Sequence, residues 1–374
     1  MTSFFLNIQN LTIFQTLIHT GQFAERLLDW WSNNKRILPW KNQTDPYKIW
    51  ISEIILQQTR VEQGIPYYHR FLELFPDVNT LADADVDQVM RAWQGLGYYS
   101  RARNLHQTAK HIVEQHQSTF PTDYTELLKL KGIGAYTAAA IGSFAYELPY
   151  PVVDGNVIRL ISRILGITRM VDDKEVIKEI YTFVIDAIKN TIPSEFNQAI
   201  MDFGATVCVP RNPKCITCPV SEYCIAYQQG LVNLIPQKSK KAPKSIRYFH
   251  YYEIRDAENQ TIIAQRNGND IWKKLYEFPM VETEKETIPD IEMLTSFLSQ
   301  VLSGYKILYH DVSKIIRLKQ ILTHRIIYAY FYKISLNCIL EEINKPYCLV
   351  DRQKVSNFAF PKVITSYLEN NSDI

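Results

Sequence analysis

Asp45-Pro46-Tyr47-Lys48-Ile49-Trp50-Ile51-Ser52-Glu53-Ile54-Ile55-Leu56-Gln57-Gln58-Thr59 holds one carboxyl in the middle of an apolar run. Asp45 can cap a helix whose first position is Pro46, because the ring pre-sets the backbone angle and lacks only an N–H that the helix does not use there. Ile49, Trp50, Ile51, Ile54, Ile55 and Leu56 leave almost no polar face, so burial on most sides is expected. A carboxyl at Glu53 then loses hydration, its pKa rises, and it can carry a proton near neutral pH, as a general acid must. Gln57 lies one turn further on the same side, and Gln57-Gln58 brings two amides whose paired donor and acceptor suit base edges. The same pattern describes a satisfied core or edge glutamate, so the rest of the chain has to decide.

The 374 residues exceed one ordinary domain, and two or three units are expected, with 46% hydrophobic residues to fill their cores. The net charge of +2 gives no global basic signature, so charge is read locally. Residues 1–230 hold 21 of the 41 Lys+Arg and 23 of the 39 Asp+Glu, a net of −2; the remaining 20 against 16 leave +4 for residues 231–374. Lys238, Lys240, Lys241, Lys244 and Arg247 fall in one stretch without an acid, which reads as a solvated linker or as a phosphate contact. No stretch has the apolar length that spans a bilayer, and Met1 to Thr20 has neither the basic start nor the cleavage site of a signal peptide. Six cysteines, four of them clustered, fit a metal site in a reducing compartment better than a disulfide framework.

Gln22 to Trp31 reads as a short amphipathic helix, and Val61 to Phe75 and Val86 to Trp93 also show helical spacing. Gly95-Leu96-Gly97-Tyr98-Tyr99-Ser100 breaks the pattern with a tight turn, either a helix stop with core tyrosines or an aromatic wedge. Arg101, Arg103 and His106 follow on a helix. Thr122 to Leu130 and Ala135 to Phe144 read as two helices joined by Lys131-Gly132-Ile133-Gly134. Such a turn lets backbone N–H groups reach an anion, and the second helix adds its positive dipole end. This is the pattern of a helix-hairpin-helix, which grips a DNA phosphate without reading sequence; a plain αα-hairpin is the alternative.

Asp154, in Val153-Asp154-Gly155-Asn156-Val157, can cap a helix from about Asn156 to Leu165, and the helix N-terminus favours its charged form. One protonated and one ionised carboxyl is the arrangement that glycosidic cleavage uses. Cys208, Cys215, Cys218 and Cys224 lie within seventeen residues, with Pro210, Pro213 and Pro219 between them, and make a closed Cys₄ site. Spacing leaves zinc and an iron–sulfur cluster both open. Arg211 and Lys214 of the first loop can reach a phosphate, and Cys338 and Cys348 read as core cysteines. Tyr248 to Ile254 and Thr261 to Gln265 read as a hairpin and Ile326 to Ile334 as a strand. Helices near 290–302 and 361–369 complete an α+β domain.

These motifs in this order resemble the MutY-type adenine DNA glycosylases of the helix-hairpin-helix, iron–sulfur glycosylase superfamily. Leu38-Pro39-Trp40, Ser52-Glu53, Leu56-Gln57-Gln58-Thr59, Gly95-Leu96-Gly97-Tyr98-Tyr99, Gly132-Ile133-Gly134, Val153-Asp154-Gly155-Asn156-Val157 and the four cysteines carry the likeness over about residues 22–365. It implies a mainly α-helical, two-lobed helix-hairpin-helix glycosylase with an iron–sulfur loop and a C-terminal α+β NUDIX-like domain. The limits expected are an extension at 1–21, a catalytic region at 22–228, a basic linker at 229–245, a lesion-recognition domain at 246–368 and a tail at 369–374. Within the catalytic region, a six-helix barrel spans about 48–150 and the iron–sulfur lobe takes 22–47 and 151–228.

The resemblance further implies that Glu53 protonates adenine at N7 and that Asp154, supported by Asn156 and Tyr136, stabilises the sugar cation. Gln58 and Tyr98 would enter the base stack beside the lesion, with Thr59 and Leu96 around it, and Gly132 and Gly134 would hold a phosphate. One 4Fe-4S cluster on the four cysteines is implied, structural and DNA-contacting. Relatives that also nick the strand carry Lys where Gly134-Ala135-Tyr136-Thr137-Ala138 has Tyr136; without that amine no Schiff base forms there. Ile271-Trp272-Lys273-Lys274-Leu275-Tyr276-Glu277-Phe278-Pro279 matches the NUDIX-like signature. Val281 to Pro289 lacks the acidic magnesium helix, so pyrophosphohydrolase activity is not expected. The lesion-reading loop, Phe-Ser-His in relatives, is Leu322-Thr323-His324 here. Lys306, Lys314, Arg317, Lys319, Arg325 and Lys333 against Asp311 give this region a positive surface.

The implied substrate is duplex DNA with adenine opposite 8-oxoguanine or guanine, bound by a monomer in the cytoplasm at the nucleoid. A clamp-like partner for the linker stays open. The alternatives are a glycosylase-lyase for oxidised pyrimidines, disfavoured by Tyr136, and a lesion-binding protein without catalysis, disfavoured by the presence of both Glu53 and Asp154.

Overall fold

The structure, a computed structural model, describes residues 20–240, 242–287, 291–302 and 312–371. The helices are α1 (Thr20–Ser32), α2 (Pro46–Leu56), α3 (Val61–Leu74), α4 (Val78–Asp83), α5 (Val86–Ala92), α6 (Ser100–His116), α7 (Tyr124–Lys129) and α8 (Ala135–Tyr146). They continue with α9 (Gly155–Ile164), α10 (Lys174–Ile188), α11 (Pro193–Thr206) and α12 (Ile225–Gln228). The C-terminal elements are β1 (Ser245–Arg255), β2 (Gln260–Gln265), β3 (Tyr276–Glu277), β4 (Met280–Thr283), α13 (Ile291–Val301), β5 (Val312–Ile321), β6 (Arg325–Ser335), β7 (Tyr347–Asp351) and α14 (Lys362–Asn370). The chain is thus mainly α-helical up to α12, with α7 and α8 forming a helical hairpin, and is followed by an α+β part with a mixed sheet, as its sequence pattern leads one to expect.

Packing divides the described residues into two compact units. One comprises residues up to Leu72 with Asp77–Asn79 and Thr108–Lys240; the other comprises Glu73–Pro76, Thr80–Gln107 and the residues from Lys241 onward. In the first, Asp45 caps α2 by accepting from Tyr47 N at 2.9 Å, with Pro46 at the first position. Trp50, Ile51 and Ile55 are buried, so α2 presents Glu53 inward against α8 rather than to water. Asp123, Asp154 and Asp173 cap α7, α9 and α10 in the same way. Phe23, Leu27, Ile161, Val184, Ile200 and Phe203 pack α1 and α9 to α11 into one core, which extends to Val220, Cys224 and Ile235. The turn between α7 and α8 needs Gly132 at φ +82, and Ile133 is buried beneath it.

In the second unit the sheet runs β3-β2-β1-β6-β5, with β4 on β1 and β7 on β2. β1 and β6 are parallel over their whole length, whereas β5 pairs β6 antiparallel. Arg255 faces Thr261 at the expected β1–β2 hairpin. Glu253, fully buried, accepts from Arg255, Arg352 and Tyr367, so its charge is paired on every side. The segment Thr80–Gln107 packs here too: Asp87 accepts from Gln265 at 3.0 Å and Tyr276 at 2.9 Å, and Arg103 donates to Lys273 O at 2.7 Å.

One reading of the sequence is corrected. Cys338 is exposed, in the loop after β6 where its carbonyl accepts from Ala257 N, and is not a core cysteine; Cys348 on β7 is half-buried. Of the residues expected to make a positive surface, Arg317 and Lys319 are exposed on β5, but Arg317 pairs with Glu286 at 2.7 Å and Arg325 with Asp270 at 2.9 Å; Lys306 and Asp311 lie outside the described residues. Among the described residues no helix is long and apolar enough to cross a membrane.

Candidate active site

Glu53 is only 6% exposed on α2, as an apolar helix with one carboxyl requires. Burial pushes that carboxyl up to about 7; the Asp154 charge adds to the rise and a hydrogen bond from Tyr136 opposes it. Tyr136, the second residue of α8, is held in its neutral phenol form by the same burial and by both carboxylates, so it donates rather than accepts. Asp154 caps α9: Oδ1 accepts from Asn156 N at 2.8 Å and Val157 N at 2.7 Å, and Oδ2 accepts from Asn156 Nδ2 at 2.7 Å. Three donors therefore fix the orientation of this carboxylate. Gln57 donates to Thr137 Oγ1 at 3.3 Å, which ties the end of α2 to α8.

Glu53, Tyr136, Asp154 and Asn156 share one cavity of about 580 Å³, lined also by Trp40, Leu56, Gln57, Gln58 and Thr59. Gln58, exposed and held at φ +59, and Thr59 also line it. Gly132 and Gly134 are exposed at the α7–α8 turn. In the other unit Tyr98 is 45% exposed at φ +47 and its hydroxyl is hydrogen-bonded to that of Thr323, with His324 exposed beside it. Leu96 is buried.

Several site residues escaped the sequence reading. Gln198 lines the cavity, and its buried amide oxygen has no hydrogen-bond partner. A buried acceptor left unpaired in a cavity is an expensive group that a ligand donor can satisfy. Asp202, 2% exposed, accepts from Trp31 Nε1 at 3.0 Å and from Lys41, and both Asp202 and Lys41 line the cavity. Arg159 donates to Asn156 Oδ1 at 2.9 Å, to Gly204 O at 2.7 Å and to Cys208 O at 2.8 Å, so one guanidinium spans the Asp154 support and the first cysteine. Two arginines, Arg159 and Arg163, within the apolar turns of α9 were the available signal, of the same kind that singled out Glu53.

Gly204 of α11 passes directly beneath Asn156. A Cβ there would meet the backbone C and O and the Cβ of Asn156, all at 3.0 Å. Because two of these atoms belong to the backbone that carries the Asp154 cap, they cannot swing aside. Gly204→Ala is expected to cost about 1–3 kcal/mol of stability and to slow catalysis at saturating enzyme. Gly142→Ala, whose Cβ meets only the Leu148 side chain at 3.2 Å, should cost less. Thermal unfolding and single-turnover rates of the two variants check this.

Cys208, Cys215, Cys218 and Cys224 line one cavity. Burial pushes the Cys218 thiol up to about 11 and that of Cys224 to about 12, and the neighbouring sulfurs add to both. Buried thiols that repel one another when ionised need a cationic centre, which a metal ion or an iron–sulfur cluster provides. Arg163 donates to Cys208 Sγ at 3.4 Å and to Val209 O and Ile235 O at 2.9 Å each, bracing the loop.

A helix-hairpin-helix turn, a buried acid paired with a capped carboxylate and a four-cysteine loop define a DNA glycosylase. Residues 51–184 match the HhH-GPD superfamily of base excision DNA repair proteins, 208–224 the iron–sulfur binding domain of endonuclease III, and 250–370 the NUDIX domain. The adenine DNA glycosylase of Buchnera aphidicola subsp. Schizaphis graminum is 40% identical over 270 residues, which are 71% of this chain and 77% of that one. That of Arabidopsis thaliana is 34% identical over 306 residues, 71% of this chain and 48% of the relative. A thermostable thymine-DNA glycosylase superposes with a TM-score of 0.53 at 26% identity, covering 56% of this chain and 97% of its own. An endonuclease III in a non-covalent DNA complex, at TM-score 0.50 and 20% identity over 57% of this chain and 99% of its own, shares the fold. The chain belongs to the adenine DNA glycosylase family.

Proposed function

We propose that this enzyme removes adenine mispaired with 8-oxoguanine or guanine from duplex DNA and leaves an abasic site without cutting the strand. The observation that carries the reading is the pairing, in one cavity, of a buried Glu53 pushed up to about 7 with a triply hydrogen-bonded Asp154. The relatives' shared name supplies the base, and Gln198 supplies an unpaired acceptor for the exocyclic amine of an extruded adenine. The base must leave the stack to enter such a cavity.

Glu53 gives its proton to adenine N7, and the C1′–N9 bond breaks with its electron pair going to the purine, so adenine departs neutral. The positive charge left on the sugar faces the Asp154 carboxylate, held by Asn156 and the α9 N-terminus. Water then adds at C1′ and returns a proton to Glu53. Tyr136 stands where strand-nicking relatives carry an amine nucleophile, so no Schiff base forms there. Tyr98, Thr323 and His324 are assigned to the base opposite the adenine, Gln58 and Thr59 to the stack beside it, and Gly132 and Gly134 to a phosphate.

The cofactor in this reading is one 4Fe-4S cluster, whose role when bound is to fold and brace the loop. The match of residues 208–224 to an iron–sulfur binding domain favours a cluster over a single zinc. Iron analysis of protein prepared under reducing conditions should give four irons per chain, and stoichiometric zinc would overturn this assignment.

The functional test is single-turnover cleavage of duplexes with adenine opposite 8-oxoguanine, beside thymine-glycol and undamaged controls. Adenine-specific product appearing only after alkali supports the reading. Breaks without alkali, or action only on the oxidised pyrimidine, would refute it.

A further inference from the structure

Leu322-Thr323-His324-Arg325 closes the β5–β6 hairpin as a tight turn, with Leu322 N donating to Arg325 O at 2.8 Å. No large buried side chain anchors this tip. Thr323 and His324 are exposed, and Leu322 is only half-buried. Polar ties to the rest of the same unit hold it instead, one at each of the four residues. The Thr323 hydroxyl is bonded to that of Tyr98. Arg325 donates to Asp270 at 2.9 Å, and Asp270 is itself fixed by Arg247 and Arg266. Ser245 N donates to His324 O at 3.0 Å. Lys244 Nζ donates to Leu322 O at 2.7 Å.

The last of these ties explains a residue of the basic run that the function has not absorbed. Within that run Arg247 is engaged by Glu282 and Asp270, and Lys238 and Lys240 are exposed. Lys244 instead ends on the carbonyl at the start of the turn. A charge-assisted bond to that oxygen is stronger than a neutral one, and the neighbouring Ser245 bond closes the other side, so the dipeptide grips the turn at both flanks.

We propose that Lys244 is a positioning residue for lesion discrimination, holding the turn so that the Thr323 hydroxyl and the His324 ring meet the base opposite the adenine. This rests on the assignment of Thr323 and His324 made above. Guanine and its 8-oxo form differ by one oxygen and one N–H at a single edge of the ring. A hydroxyl and an imidazole separate the two only if they are held within about 0.5 Å of the productive position. Removing one of the polar ties loosens that position without touching Glu53, Asp154 or the cavity.

The test compares full-length wild type, Lys244→Met and Lys244→Arg in single-turnover excision of adenine opposite 8-oxoguanine and opposite guanine, with binding measured over a salt series. In Lys244→Met the 8-oxoguanine preference is expected to fall about fivefold, a loss worth roughly 1 kcal/mol. The rate opposite guanine should stay within about twofold, and Lys244→Arg should restore the preference. An unchanged preference in an active Lys244→Met overturns the proposal. So does an equal loss of affinity on both duplexes with a salt slope lowered by about 0.9, which would make Lys244 a phosphate contact. A wild type that excises adenine from neither duplex would overturn the functional reading, and this inference with it; the two failures are thus distinct.

Discussion

Glu53→Gln is expected to lower the single-turnover rate of base excision by about 10³-fold or more, while affinity for the mispaired duplex changes by less than about threefold. The amide keeps the shape of the carboxyl and can still accept the Tyr136 hydrogen bond, so the cavity stays assembled. It has no proton that it can release to a purine nitrogen, and the leaving group must depart as an anion. Loss of binding in parallel with loss of rate would count against Glu53 as the acid. The pH dependence follows from the same burial. With its carboxyl pushed up to about 7, the acid form is present below that value, and the excision rate should fall about tenfold per unit above it.

Stability carries the matching sign. Between the ordinary value of 4.5 and about 7, the folded protein holds a proton at Glu53 that the unfolded chain has released. The contribution of Glu53 is therefore most favourable below 4.5 and is lost as pH rises through 7. Glu53→Gln removes this dependence. The variant should melt higher than wild type above pH 7, and calorimetry at pH 5 and pH 8 measures the difference.

Asp154→Asn is expected to be nearly as inactive, with a loss of roughly 10²–10³ in rate, yet to fold almost as well as wild type. Asn is as good an N-cap as Asp, and its side-chain oxygen can keep the bonds from Asn156 N and Val157 N. The second oxygen becomes an NH₂ group facing Asn156 Nδ2, so one bond becomes a donor–donor contact and the negative charge beside the sugar is gone. The predicted signature is a small shift in melting temperature, within about 1 kcal/mol, against a large kinetic defect. Thermal unfolding and single-turnover kinetics on one preparation separate the two; a defect in folding equal to that in rate would leave Asp154 as a cap and nothing more.

Much of this site was legible because each motif carries its chemistry within a few residues. Asp45-Pro46 starts a helix locally, and an apolar run on that helix buries its single carboxyl whatever it packs against. Asp154 binds the two amides that follow it, a contact confined to one turn. What escaped depends on residues distant in sequence. Gln198 and Asp202 lie on α11, about 150 residues beyond Glu53, and nothing in their local pattern separates them from ordinary helix polar groups. β5, Val312–Ile321, was missed because its interleaved Lys and Arg obscure the alternation of a strand, and Cys338 was misplaced because its type outweighed its loop.

The sequence by itself placed the two-helix hairpin around Gly132, the buried Glu53, the helix-capping Asp154 and the four-cysteine loop, since all are short-range patterns of polarity and backbone freedom, while the NUDIX-like region was legible only through its resemblance to a family. Only the tertiary structure decided that Arg159 joins Asn156 to Cys208, that Gly204 leaves room beneath the Asp154 cap, and that Lys244 grips the Leu322 turn. Such contacts join segments whose separation along the chain leaves no periodic trace; they exist because packed elements bring particular donors, acceptors and a missing Cβ to within 3 or 4 Å.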